Sequence, residues 1–156
     1  MNELQEIKDM VREQMVAEGF MRPTILLVGT KSRLGYTFTS FPGGLDAAVA
    51  KTMRSQGQQT ALEHPEVGKL VRAYFMAIAL LTPKAGEQEP QEVLTIHGVE
   101  TATNEQQATI YRVLRDRTKH SLPFPFQSLE ELPIKDRLVP EHPLLQAFVD
   151  GYMSLD

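Results

Sequence analysis

Apolar and polar positions follow two different periods along this chain, and each change of period marks an element. Leu4, Ile7, Met10 or Val11, and Met15 recur at helical spacing, with Glu6, Lys8, Asp9, Arg12 and Glu13 outside them. That pattern predicts an amphipathic helix over residues 3–18, with Gly19 as its stop. Pro23 opens the aliphatic run Thr24-Ile25-Leu26-Leu27-Val28-Gly29, short enough to be a strand. A polar turn around Lys31-Ser32-Arg33 and Gly35 leads to Tyr36-Thr37-Phe38-Thr39-Ser40-Phe41, where rings and hydroxyls alternate as in a half-buried strand. The two runs lie too close together for a parallel crossover, so they predict a hairpin.

Pro42-Gly43-Gly44 ends that strand, and Asp46 is placed to cap a helix from Ala47 to about Leu62, weakened in its middle by Gly57. His64-Pro65-Glu66 breaks the chain again. Residues 67–82 fit two readings. Val67, Leu70, Val71, Tyr74, Ile78 and Leu81 trace a helical face, yet Tyr74 to Leu81 also reads as a fully buried central strand. The abrupt stop at Thr82-Pro83-Lys84-Ala85-Gly86 favours a strand at about 71–81. Glu92–Val99 and Gln107–Arg115, joined by the turn Thr101-Ala102-Thr103-Asn104, read as a second hairpin. Residues 121–141 read as an irregular, Pro-rich segment, because each proline turns its predecessor away from helix. Pro143 then sits in the first turn of a last helix, 142–154, whose apolar face is Leu144, Leu145, Phe148, Val149 and Tyr152.

The order α-β-β-α-β-β-β-α, with strands in runs, predicts an α+β fold: a mainly antiparallel sheet of about five strands with helices packed on one face. The 156 residues, 42% apolar and 23% charged, suit a single domain over 1–156 that holds its own core. There is no cysteine, which excludes disulfides, thiolate metal sites and a cysteine nucleophile, and fits a reducing, cytoplasmic setting. The acidic, amphipathic start is unlike a signal peptide, and the longest apolar run, Tyr74–Leu81, is too short for a bilayer, so no membrane association is expected.

A net charge of −4 argues against a nucleic-acid partner. The local exception is Arg112, Arg115, Arg117 and Lys119, opposed only by Asp116, with Glu87, Glu89, Glu92, Glu100 and Glu105 upstream. Pairing of the two stretches as a hairpin would set these charges against one another. Otherwise Arg115, Arg117 and Lys119 are the candidates for an anion, and 112–120 the place for RNA or DNA, with only Tyr111 to stack on a base.

Catalytic motifs are missing. Gly29-Thr30-Lys31-Ser32 imitates the end of a phosphate loop but has Thr24 where the first glycine belongs and a strand where a helix should follow, so a hairpin turn is the better reading. None of the four histidines, His64, His97, His120 and His142, lies within four residues of another, so no metal and no cofactor is expected. The serines lack a glycine-flanked elbow, and Glu130-Glu131 carries no specific signal. His97, Tyr111 and Arg112, on neighbouring strands, are the candidate ligand-binding groups if a pocket lies between the sheet and the Pro-rich segment.

Met21-Arg22-Pro23-Thr24-Ile25-Leu26-Leu27, Glu92-Val93-Leu94-Thr95-Ile96-His97-Gly98 and His142-Pro143-Leu144-Leu145-Gln146-Ala147-Phe148, in this order of elements, resemble small single-domain bacterial proteins with no assigned activity. The resemblance spans nearly the whole chain and implies the fold alone. Those proteins often carry a Glu and a Trp just after the third strand, where this chain reads Ala77-Ile78-Ala79-Leu80-Leu81, so a site built there would be missing.

Phe20, Tyr36, Phe124, Phe126 and Tyr152 are more rings than one thin core layer needs. Phe124 and Phe126 either complete the core or form an interface. The expectation is a non-catalytic protein that self-associates as a homo-oligomer or binds a protein partner. An enzyme or ligand-binding domain is the alternative.

Overall fold

The computed structural model describes residues 3–37, 47–81, 91–116, 118, 125–132 and 143–154. Helix α1 (Glu3–Glu18) turns Ile7, Val11 and Met15, spaced at single helical turns, into the core. Gly19 closes it with φ 77°, its N–H reaching the Met15 carbonyl at 2.8 Å. Glycine takes that left-handed conformation without steric cost.

Strands β1 (Thr24–Gly29) and β2 (Arg33–Thr37) form the first hairpin. β2 begins at Arg33, ahead of the ring–hydroxyl alternation, because the turn is held tight. The Gly29 N–H donates to the Ser32 carbonyl at 2.9 Å, while the Thr30 and Lys31 N–H groups donate to Lys69 and Val67 carbonyls at 2.9 and 3.0 Å. The amides that a phosphate loop would offer are thus spent on the chain itself. The rest of the expected strand, from Phe38, and the expected cap Asp46 lie outside the described residues.

Helix α2 (Ala47–Glu63) runs on through Gly57, and a 3-10 turn at Pro65–Val67 leads to β3 (Leu70–Leu81). Residues 71–81 are therefore strand. The second hairpin is β4 (Gln91–Glu100) and β5 (Gln106–Arg115). Strand β6 (Phe126–Leu132) and helix α3 (Pro143–Met153) complete the order.

The strands form one six-stranded sheet, β2-β1-β3-β4-β5-β6, with every pairing antiparallel. The α+β class and the antiparallel sheet expected from the sequence hold. Two details are corrected. The sheet has six strands, not five, because part of the segment read as irregular is β6. Pro123, Pro125 and Pro133 flank that strand rather than interrupt it, so its ladder N–H groups survive.

The helices cover both faces instead of one. β3 is buried on both sides: Ala73 and Phe75 pack with Val49 and Met53 of α2 and Leu145 and Phe148 of α3, whereas Tyr74 and Met76 pack with Ile7, Val11 and Met15 of α1. A strand apolar on both sides needs a layer on each. α2 and α3 cross in near contact. A Cβ at Gly57 would stand 2.1 Å from the Phe148 carbonyl oxygen, and one at Gly151 would stand 2.0 Å from that of Arg54. Gly57, a weak helix former, is what lets the two helices meet.

Candidate functional site

β4 and β5 are neighbours, as the candidate ligand-binding trio requires, but their register separates its members. His97 stands opposite Phe75 and Ala108, on the face covered by α2 and α3. It is 5% exposed, and its Nε2 lies 2.8 Å from Oε1 of Gln106. Tyr111 stands opposite Leu94, buried on the face covered by α1, where the Lys8 ammonium lies 5.9 Å from its ring centre. Arg112 stands opposite Val93 and Glu130, on the face of His97, but four residues along the strand from the Ala108 position. That is about 13 Å at strand rise. The structure does not bring the three together. Tyr111 and Arg112 are consecutive, so strand alternation alone already places them on opposite faces.

The basic stretch divides differently. Arg115 is 13% exposed, and its Nε and Nη2 donate to the two carboxylate oxygens of Glu92 at 2.7 and 3.0 Å. Nη2 also donates to the Gly19 carbonyl at 2.7 Å. Arg115 thus holds the end of α1 to the sheet in a paired, partly buried geometry, and the acidic and basic stretches do meet across strands here. Arg117, Lys119 and Phe124 lie outside the described residues. Phe126 is half-buried against the α1 face of the core.

The other end of α1 is tied by a second cluster, which sequence reasoning did not find. Oε1 of Glu3 accepts from the Tyr74 hydroxyl and from Arg72 Nε, both at 2.6 Å, and Oε2 accepts from Arg72 Nη2 at 3.0 Å. Arg33 adds contacts to Glu3 at 3.4 Å and Glu6 at 2.8 Å. The hydrogen bonds from Arg72, and then from Tyr74, hold the Glu3 carboxyl below its ordinary value although burial opposes them. Burial, then the bond to Glu3, pushes the Tyr74 hydroxyl up to about 12. A phenol held that firmly protonated is a poor acid–base group near neutrality. The cavity beside it, at Gly98 and Gln107, holds about 20 Å³, room for a water molecule and no substrate.

The remaining distinctive surface is the outward side of α1. Val16 is 71% exposed there, and Phe20, just past the glycine that ends the helix, is 43% exposed. The left-handed turn at Gly19 sends Phe20 outward while Met21 enters the core. The Arg22 guanidinium lies 6.0 Å from the Phe20 ring centre. Asp9, Arg12, Glu13, Val16 and Ala17 line one shallow depression. Leu62 on α2 is as exposed as Val16 but has no exposed large apolar neighbour near it in sequence, and single exposed apolar residues are ordinary. Of the five surplus rings, Tyr152 is buried, Tyr36 lies 6.4 Å from the Phe148 ring, and Phe20 is the exposed one among the described residues.

Among the described residues no helix is long and apolar enough to cross a membrane, and no group of three or more histidine and carboxylate side chains is placed to hold a metal ion. No family model, curated protein or solved structure matches the chain.

Proposed function

We propose that this chain is a non-catalytic cytoplasmic module that pairs with a second copy of itself through the outer side of α1. The observation that carries the reading is the exposure of Val16 and Phe20 at the free side of a helix whose other side is fully engaged. A twofold interface meets itself, so its patch must be self-complementary. Charges of both signs lie beside each apolar residue: Asp9, Arg12 and Glu13 share a depression with Val16, and Arg22 lies beside Phe20. An antiparallel pair of α1 helices sets unlike charges against each other around Val16.

The magnitude bounds the affinity. Full burial of Val16 and Phe20 from both copies contributes about 8 kcal/mol. Association itself costs about 4–15 kcal/mol. The pairing is therefore weak and concentration-dependent. Gel filtration over a wide range of loading concentrations tests it: a retention volume that falls as concentration rises supports the reading, and an unchanging monomer volume refutes it. No observation favours the catalytic alternative or the nucleic-acid alternative over this one.

A further inference from the structure

The first hairpin leaves one edge of the sheet open, because β2 is the outermost strand, beyond β1. The turn sets its hydrogen-bonding phase. The Gly29 N–H donates to the Ser32 carbonyl at 2.9 Å, and bonded and non-bonded pairs alternate along an antiparallel ladder. Leu34 and Tyr36 therefore bond towards Leu27 and Ile25, whereas Arg33, Gly35 and Thr37 direct their backbone N–H and C=O groups away from β1. Among the described residues no strand pairs with that side, and all three residues are exposed. Gly35 is the barest of them: a Cβ there would meet nothing within 4 Å. Leu34 and Tyr36, on the other face, are half-buried against the core beneath α2 and α3. The Arg33 guanidinium is already matched by Glu6 at 2.8 Å and Glu3 at 3.4 Å.

We propose that β2 takes up an extended, neutral peptide segment of another protein as an added antiparallel strand, with an aromatic residue opposite Gly35 and an aliphatic residue on each side of it. Outward N–H and C=O groups on alternate residues are matched by another extended backbone. The side chains around them define the rest. Aliphatic residues opposite Leu34 and Tyr36 extend the apolar layer, and a ring lying over Gly35 covers the backbone that glycine leaves bare. With Arg33 matched within the chain, the segment needs no charge of its own. A second copy of β2 fits less well. The twofold pairing that uses all three outward residues sets Gly35 against Gly35, where there is no side chain to pack. The proposal does not depend on the pairing of α1 through Val16 and Phe20.

Titration of the full ¹⁵N-labelled chain with the peptide acetyl-Thr-Val-Phe-Val-Thr-amide, followed by NMR, tests it. Saturable shifts are expected, larger at the amides of Arg33, Gly35 and Thr37 than at those of Leu34 and Tyr36, which already bond to β1. With the ring opposite Gly35, the N–H of the peptide's phenylalanine faces β2 and those of its two valines face away. N-methylation of the phenylalanine should therefore weaken binding about tenfold, and N-methylation of either valine by less than about twofold. Gly35→Pro, which removes the central outward donor at an edge position that tolerates proline, should weaken binding about tenfold as well. The Val16→Glu chain should bind the peptide as the native chain does, which separates this edge from the α1 surface. Absence of saturable shifts overturns the proposal, as do shifts that leave β2 untouched or a phenylalanine-methylated peptide that binds as well as its parent. Shifts at the same three amides that grow with protein concentration alone would give the edge to a second copy, and would overturn it too.

Discussion

The Tyr74 hydroxyl donates to Oε1 of Glu3 at 2.6 Å, joining the first turn of α1 to a central strand of the sheet. Removing that hydroxyl with Tyr74→Phe leaves Glu3 with its two Arg72 bonds but costs the charged hydrogen bond. The expected loss is about 1–2 kcal/mol. Urea denaturation of the two proteins side by side measures it, and equal midpoints would contradict this role for the pair.

The same cluster sets a pH dependence at both ends of the scale. The Glu3 carboxyl titrates below its ordinary 4.5 in the folded chain, so its stabilisation is complete above that value and is lost as pH falls through the folded one. Tyr74 is raised from 10.0 to about 12, so its contribution is complete below 10.0 and is lost as pH rises through about 12. The stability difference between the native chain and Glu3→Gln should therefore shrink as pH falls below 4.5. A difference constant over that range would show that the carboxylate is not what holds α1.

At the far end of α1, Arg115 pairs bidentately with Glu92 and also bonds the Gly19 carbonyl. Arg115→Ala leaves a partly buried carboxylate unpaired, for an expected cost of about 2 kcal/mol. Amide exchange in the last turn of α1 should quicken by more than it does elsewhere. Uniform exchange across the chain would assign Arg115 to the sheet alone.

Gly151→Ala places a methyl group where the Arg54 carbonyl oxygen is 2.0 Å away. The crossing must open, at an expected cost of about 2 kcal/mol. Thermal melting checks it. An alanine variant with unaltered melting temperature would mean that the helices have slack at this point.

Much of this architecture is legible from local pattern. α1 and β5 follow from periodicity, because each buries one regular face, and β1 and β4 follow from short apolar runs bounded by turn residues. β6 escapes, because prolines on either side of Phe126–Leu132 colour the whole segment and the strand between them is short and mostly polar. The two-sided covering of the sheet depends on β3, whose unbroken apolar run hides which residues face which helix until the register is known. At the surface, Phe20 stands out as a surplus ring. Val16 does not, since one β-branched residue on a polar helix face leaves the period unchanged. Glu3, Arg72 and Tyr74 meet only through the fold.

The pairing of α1 helices is tested most directly by sedimentation equilibrium of the native chain and of Val16→Glu at concentrations from about 10 µM to about 1 mM, a range suited to a weak dimer. The account predicts a native mass that climbs from monomer towards dimer. It predicts a Val16→Glu mass that stays monomeric, with an unchanged circular dichroism spectrum, because the position is exposed and the charge disturbs only the contact. A native chain that remains monomeric throughout, or a Val16→Glu chain that associates equally well, would contradict it.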